Sequence, residues 1–393
     1  MISYHTWFRV GSRHEERGKT GLAHFFEHMM FNETESLPQG EFDRLVDAAG
    51  GESNAATWID WTYYYESLPA EELPLAIRLE SERMHALVVR GPQVESEREV
   101  VMNERRMSVE DDVYGAASEA LHALAFGREH PHGWPTIGWM ADIEGYRVRD
   151  CRSFYRTWYA PNNATVVIAG DVSPEDALAR IQEAYGGIAP SKLPARPAPR
   201  PSRQRSERRA RFGWPTPSEK VCLAWHAPPH VAYDSAVLEV IDELLGGGRS
   251  ARLRRRLVEE LELVAELRAG VSGLRHGGLF EVWISMREGK PAADALSVVD
   301  EEIARLSRER VPDAELEKIK NRIELFFLSE IETVGGKASQ IGFGDVVADD
   351  PAHAFARLAE LRRVTSEDVQ RVASALLRPS RRSVVHVLPA EAA

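Results

Sequence analysis

The chain has 393 residues, of which 43% are hydrophobic and 28% are charged. This length exceeds that of a usual single domain, so we expect two domains with packed cores. A formal net charge of −12 argues against a nucleic-acid partner, and no apolar run reaches the length of a membrane span.

The chain begins with a predicted strand that leads towards a predicted helix. Residues 1–10 alternate apolar and polar side chains, which is typical of a strand. The helix that follows contains the stretch His-Phe-Phe-Glu-His at residues 24–28. This stretch is the most informative part of the sequence.

Two histidines four residues apart lie on one face of a helix and can share a metal ion. His24 and His28 have this spacing, and Glu27 lies on nearly the same face. A carboxylate there stands beside the ion without being a ligand, which is the position of a general base that takes a proton from water. The order His-x-x-Glu-His is the inverzincin signature, the reverse of the common His-Glu-x-x-His.

A short motif of this kind also arises by accident, and a lone histidine in such a helix is more often structural. The flanking residues 21–23 and 29–31 are almost all apolar, so we expect the helix to be buried. Buried imidazoles and a buried carboxylate are costly unless a metal compensates them. The surroundings therefore favour a metal site.

A catalytic zinc usually takes three protein ligands and leaves a fourth position to water. The candidates for the third ligand lie in residues 95–106, where apolar and charged side chains recur at helical spacing. Glu97 and Glu104 are two turns apart and share a face. A run of Glu and Arg is also typical of a solvated helix surface. Spacing alone leaves the two interpretations equal.

The remaining elements predict the α+β class. Apolar-rich helices are predicted at residues 42–49, 71–87, 116–124 and 236–245. Strands and helices occur in separate runs more than in strict alternation, which favours helices packed on a mostly antiparallel sheet.

A change in composition marks the boundary between the two predicted domains, residues 1–190 and 215–393. Residues 191–214 between them are rich in Pro and Arg without an apolar period, which predicts an extended linker. Both halves end in a helix, a short Pro-containing segment and a strand, so an internal duplication is the simplest account. Cys151 and Cys222 fall in separate halves, and either buried thiols or a single disulfide would fit them.

These motifs resemble the M16 family of metallopeptidases, the group of pitrilysin, insulin-degrading enzyme and mitochondrial processing peptidase. In that family a glutamate ligand follows the reversed motif after about 76 residues, seven positions after another functionally important glutamate. Here Glu104 follows His28 by 76 residues and Glu97 by seven. Further segments that look like the family lie at residues 11–31, 50–63 and 154–172.

The resemblance implies a zinc ion held by His24, His28 and Glu104, with Glu97 as an accessory carboxylate and Glu27 as the general base. It also implies the M16/LuxS-like metallohydrolase fold, in which two homologous α+β domains face each other around a chamber. Such a site would hydrolyse peptides or unfolded polypeptides.

The resemblance further implies how the peptide substrate binds. Asn54 and Ala55 occupy the family position at which an edge strand takes the peptide backbone by strand addition. The alternative for Asn54 is a turn residue after two glycines at 50–51.

The second half departs from the family at one place. Active single-chain members carry an arginine and, seven residues later, a tyrosine, and this pair holds the substrate across the zinc. The matching positions here are Val258 and Ala265, which cannot make these contacts. We refer to them as the clamp positions. Arg254, Arg255 and Arg256 stand nearby, although a run of arginines is more often a solvated face.

The sequence therefore predicts a zinc endopeptidase subunit that pairs with a homologous subunit supplying the missing arginine and tyrosine. A homodimer is the alternative if the three arginines replace the pair. A non-catalytic scaffold subunit and a zinc-stabilised peptide-binding protein are competing hypotheses, but scaffold relatives generally lose the motif that this chain keeps. Family members normally carry a further strand upstream of the one predicted at residues 1–10. We expect that this sequence lacks that N-terminal segment, on which any signal peptide or lipid anchor would lie. The compartment is therefore open, with the bacterial periplasm favoured over the cytoplasm.

Overall fold

The computed structural model of the chain describes residues 1–195, 198 and 200–390. Within these residues the strands are β1 Ile2–Phe8, β2 Glu52–Thr57, β3 Thr62–Leu68, β4 Ala164–Gly170, β5 Arg208–Trp214, β6 Lys220–His226, β7 Val264–Val271, β8 Leu279–Met286 and β9 Arg382–Pro389.

The helices of the first half are α1 Leu22–Met29, α2 Glu41–Ala48, α3 Leu73–His85, α4 Gly91–Arg105, α5 Val113–Phe126, α6 Met140–Glu144, α7 Val148–Trp158 and α8 Pro174–Tyr185. Those of the second half are α9 Tyr233–Leu245, α10 Arg252–Arg254, α11 Ala292–Arg308, α12 Asp313–Glu330, α13 Val334–Ala348, α14 His353–Arg363 and α15 Ser366–Leu376. None of the helices in the described residues is long and apolar enough to cross a membrane.

The first sheet has the strand order β2-β3-β1-β4, and all of its pairs are antiparallel. Ile2 in β1 pairs with Leu68 in β3 and with Gly170 in β4. The strand predicted in residues 1–10 is present as β1, and every residue of it is buried in spite of the alternating sequence. The reason is that β1 lies between two strands while α3 and α13 pack against it, and the polar positions of the pattern are therefore covered as well.

The second sheet has the order β5-β9-β6-β8-β7, with β5 and β9 parallel and the other pairs antiparallel. Its last four strands repeat the first sheet, because β9, β6, β8 and β7 take the places of β4, β1, β3 and β2. The predicted α+β class with two homologous domains is thereby confirmed.

The linker predicted at residues 191–214 is too long, because its last seven residues form strand β5. In this strand Ala210, Phe212 and Trp214 alternate with arginines and glycine, and these three side chains pack against a core cluster. The linker was predicted from its high Pro and Arg content, which does not reveal the two-residue alternation of a strand.

The predicted domain boundaries also need correction, because each compact unit takes a segment from the opposite half of the chain. The first unit comprises described residues within Met1–Arg106, Trp134–Pro197 and Leu328–Ala354, and the second comprises those within Met107–Gly133, Ala198–Phe327 and Phe355–Ala393. We call the two inserted segments, 107–133 and 328–354, the exchanged segments.

Apolar packing explains the exchange. In the second unit, Ala117 and Leu121 of α5 share a core cluster with Cys222 and Val385 of the second sheet. In the first unit, Ala338 and Val346 of α13 share one with Trp7 and Val167 of the first sheet. Each exchanged helix thus covers one face of a sheet built mainly by the other half of the sequence.

Both cysteines are buried and free. Burial raises the pKa of the Cys151 thiol to about 12 and also raises that of Cys222. Of the two alternatives drawn from the sequence, buried thiols are correct, and these side chains act as core residues.

Candidate metal centre

Helix α1 begins at a position that only glycine can occupy. Gly21 precedes the helix with a φ of 92°, in the left-handed region. An added Cβ would lie 2.3 Å from the carbonyl oxygen of Ile137, so both the backbone conformation and the space exclude other residues. This tight packing fixes where the histidine-bearing helix starts.

A buried glutamate holds the same helix end. Glu15 is 3% exposed, and its two carboxyl oxygens accept hydrogen bonds from the backbone N–H groups of Gly21 at 2.7 Å and Ala23 at 2.8 Å. Burial raises the pKa of Glu15, and these two hydrogen bonds oppose the rise. Free N–H groups at a helix start need such acceptors.

We expect Glu15→Gln to destabilise the first unit by about 1–2 kcal/mol, because an amide NH2 would then face a backbone N–H group. Urea unfolding of the metal-free protein measures this loss, and zinc titration should show weaker binding as the start of α1 loosens. Glu16→Gln is the matched control, since Glu16 is exposed. Equal stability of the two variants would contradict the role given to Glu15.

Three candidate ligands converge where α1 packs against α4. The Nε2 atom of His24 lies 3.4 Å from one oxygen of Glu104, and Nε2 of His28 lies 3.1 Å from the other. One donor atom from each residue lies within 4.8 Å of the other two. The structure thus brings together the three residues predicted as zinc ligands.

Glu97 does not belong to the three candidate ligands but contacts one of them, His28. Its carboxylate is 3.1 Å from Nδ1 of His28 and accepts a hydrogen bond of 2.8 Å from the amide of Asn32. A carboxylate in this place fixes the imidazole orientation and leaves Nε2 free to bind a metal. The structure thus places Glu97 against His28 and outside the three candidate ligands.

The charges of the site are strongly coupled. Burial disfavours the imidazolium of His28, but Glu104 and Glu97 outweigh it and raise the pKa of His28 to about 10. Burial likewise opposes ionisation of Glu104, while His24 and His28 hold its pKa far below the usual range. The site therefore holds negative charge that a cation would balance.

One buried oxygen indicates that a metal ion fits this site. Oε2 of Glu104 has no hydrogen-bond partner among the described residues, although it lies 3.1 Å from Nε2 of His28. The three donors face one another without hydrogen-bonding geometry. Two imidazole nitrogens and one carboxylate oxygen are a catalytic zinc ligand set.

Zinc binding at neutral pH should release protons. His28 carries a proton below its pKa of about 10, and a metal binds only the neutral imidazole, so about one proton or more should leave per zinc. The apparent zinc affinity should therefore rise with pH between 6 and 9. Calorimetric titration in two buffers of different protonation enthalpy measures this release, and identical heats in both buffers would contradict it.

Glu27 lies on the same helix but outside the ligand set. Its side chain is half-buried and lines a pocket together with His28, Asn54 and Ala55. No hydrogen bond or ion pair engages the Glu27 carboxylate anywhere in the described residues, which leaves it able to accept a proton.

Asn54 and Ala55 lie in β2, which is the edge strand of the first sheet. Oδ1 of Asn54 accepts a hydrogen bond of 2.8 Å from the N–H of Ala55. The outer side of β2 is unpaired within the sheet, as strand addition requires. The turn alternative for Asn54 is wrong, because the residue lies inside a strand that starts at Glu52.

The clamp positions lie in the second unit. Val258 is half-buried in a π-helical turn at Arg255–Glu260, and Ala265 is exposed at a bulge of β7. Of the neighbouring arginines, Arg255 pairs with a glutamate at 3.1 Å and Arg256 with two at 3.0 and 3.1 Å.

Sequence reasoning missed two residues that shape the site. No sequence pattern indicated the role of Glu15, because its contact with the start of α1 depends on how the preceding loop folds. Asn32 follows His28 by one helical turn, and this spacing could have indicated that it shares the face of the ligands.

Comparison with known proteins identifies the family to which this fold belongs. Residues 3–137 match the family description "Insulinase (Peptidase family M16)", and residues 148–323 match "Peptidase M16 inactive domain". The chain belongs to the M16 family of peptidases.

Among individual proteins, the chain is 29% identical over 339 residues to the zinc protease PqqE of Helicobacter pylori, covering 85% of this chain and 76% of that protein. A crystal structure of a protease from Helicobacter pylori superimposes with a TM-score of 0.94 at 27% identity, covering 99% and 94% of the two chains. The periplasmic protease PqqL from Escherichia coli shares the fold with a TM-score of 0.79 at 19% identity, covering 98% and 45%.

Proposed function

We propose that this chain is a zinc-dependent endopeptidase, or the catalytic subunit of one, that hydrolyses peptides or unfolded polypeptides. The observation that carries the proposal is the convergence of His24, His28 and Glu104 within 4.8 Å, with the carboxylate of Glu27 beside them and outside the ligand set. Names of relatives support the zinc-protease class.

Each group of residues has a separate role in the proposed reaction. Zinc held by His24, His28 and Glu104 would supply a Lewis acid that polarises water and the scissile carbonyl. The Glu27 carboxylate takes a proton from the attacking water and later gives it to the leaving amine nitrogen. Edge strand β2 positions the peptide through backbone hydrogen bonds at Asn54 and Ala55, for which the Ala55 N–H would exchange its bond to Oδ1 of Asn54 for one to the peptide.

A zinc-restoration assay tests the proposal. Purified protein is stripped of metal with a chelator, and its cleavage of a mixed library of unstructured peptides is followed by mass spectrometry. Cleavage should disappear on stripping and return when about one zinc per chain is restored. If restoration of zinc returns no cleavage, alone or with a candidate partner, a peptide-binding or scaffold role replaces the peptidase.

We further propose that full activity requires a homologous subunit that supplies an arginine and a tyrosine. Support comes from Val258 and Ala265, whose side chains offer no hydrogen bond to a peptide. The alternative is a homodimer in which the local arginines replace the pair. Arg255 and Arg256 are already held in ion pairs, so this alternative depends on Arg254, whose Nε atom has no hydrogen-bond partner among the described residues. Correct positioning of a peptide supplies several kcal/mol, so the lone chain should turn over slowly.

Mixing experiments test the partner. The chain is assayed alone and with each homologous protein encoded nearby, and complex formation is followed by size-exclusion chromatography with light scattering. Activity should rise at least about tenfold in the right mixture. Full activity of the lone monomer, unchanged on mixing, would contradict the proposal.

For the compartment we favour the periplasm of a bacterium. The support is the shared fold with the periplasmic protease PqqL. Fractionation of cells that express the native gene, followed by immunoblotting, tests this placement.

A further inference from the structure

A pocket of about 400 Å³ lies directly beside the metal donors in the first unit. Glu27 and His28 form the wall towards the donors, and the half-buried ring of Phe31 provides an apolar surface. The rest of the lining is mainly polar and includes Gln39 and Asp43. A substrate side chain next to the scissile bond would enter this pocket.

The pocket contains carboxylates but neither Lys nor Arg among its lining residues. Glu97 is engaged by His28 and Asn32. Glu27 serves as the proposed base. Asp43 is exposed and makes no hydrogen bond or ion pair in the part of the chain that the structure describes. Its charge is therefore available to a ligand.

Two cations near Asp43 act on another carboxylate. Arg44, the next residue on α2, is held by Glu41 through hydrogen bonds of 2.8 and 2.6 Å, and Arg78 also interacts electrostatically with Glu41. The buried guanidinium of Arg83 lies 5.3 Å from the centre of the Phe31 ring. However, Arg83 is paired with Glu66 at 3.1 Å and with Glu80, so two carboxylates offset its charge.

A zinc ion would not make the net charge around the pocket positive. Its two positive charges face the carboxylates of Glu104, Glu97 and Glu27, which can together carry three negative charges. Asp43 then adds a further negative charge to the pocket lining. The amide oxygen of Gln39 offers a further acceptor for an ammonium or guanidinium group.

We propose that this pocket selects peptides with a Lys or Arg side chain adjacent to the cleaved bond, and that Asp43 determines this specificity. The aliphatic stem of such a side chain would pack on Phe31 while its charged end reaches Asp43. The inference rests on the proposed peptidase function and adds a substrate class to it.

Matched peptides test the proposal with the zinc-loaded protein and its partner if one is required. The peptides are identical except for one position, on either side of the cleaved bond, that carries Lys, Arg, Gln or Glu. The kcat/KM for Lys and Arg should exceed that for Gln by about three- to tenfold, and Glu should be poorest. The Lys-to-Gln ratio should fall in high salt.

Asp43→Asn should bring the Lys-to-Gln ratio close to one, and Asp43→Lys should shift the preference towards Glu. Asp47→Asn is the control, because Asp47 is exposed one turn further along α2 and does not line the pocket. This variant should keep the wild-type ratio. An unchanged ratio in Asp43→Asn, or no preference for basic residues in the wild type, would overturn the inference.

A binding measurement separates the two proposals if no peptide is cut. The Glu27→Gln variant, loaded with zinc, is titrated with the same peptides, and fluorescence anisotropy reports their dissociation constants. Tighter binding of the Lys peptide that disappears when Asp43→Asn is added supports the pocket assignment even without turnover. Equal binding of the Lys and Glu peptides overturns it.

Discussion

Replacement of Glu27 by Gln should abolish most peptide cleavage while zinc stays bound. An amide has nearly the same size as the carboxylate but cannot accept the proton of water, so kcat should fall by about 10²- to 10⁴-fold. Because Glu27 lies outside the group of converging donors, zinc content measured by atomic absorption should remain near one per chain.

The matched control for this variant is Glu35→Gln, which changes an exposed glutamate shortly after the same helix. It should retain both zinc and activity. If Glu27→Gln loses its zinc together with its activity, Glu27 is a ligand and the division of roles is wrong. If it keeps wild-type activity, another group removes the proton.

Replacement of Glu104 by Gln should remove the metal itself. The neutral amide is a poor zinc ligand, and the negative charge that holds the cation near His24 and His28 is lost. Substitution of a residue that only hydrogen-bonds to a metal ligand already lowers metal affinity by about 10- to 100-fold. Substitution of a ligand itself should lower the zinc affinity by more than that. Equilibrium dialysis against a zinc buffer measures the change.

Glu99→Gln is the control for Glu104, since Glu99 is an exposed glutamate on the same helix. Its zinc affinity should match the wild type. Full zinc occupancy of Glu104→Gln would show that the third ligand lies elsewhere and would remove the basis of the proposed site.

The convergence of His24, His28 and Glu104 is the part of the structure that the sequence indicated most directly. These three candidate ligands lie on two helices, and helical geometry converts the spacing of His24 and His28 into a shared face. The seven-residue spacing of Glu97 and Glu104 works in the same way. The packing of one helix on another belongs to tertiary structure and does not follow from local spacing. The contact between α1 and α4 was therefore expected only from the family resemblance.

The other features of the site depend on folding that local patterns do not encode. Glu15 reaches the start of α1 through an irregular loop, and Asp43 reaches the pocket from a different helix. Strand β5 was hidden because arginines occupy its solvent-facing positions. An apolar face on α5 showed that the helix is buried, but nothing in the local pattern identified the sheet that buries it.

The exchanged segments tie the two halves of the sequence together. A polypeptide cut in the region between the two sequence halves would leave Trp7 and Val167 without Ala338 and Val346, and it would carry α5 with its apolar side exposed. We therefore expect neither half to fold stably alone. If the gene arose by duplication, the ancestral product would have needed a second copy of itself to cover one face of its sheet and would have been an obligate dimer.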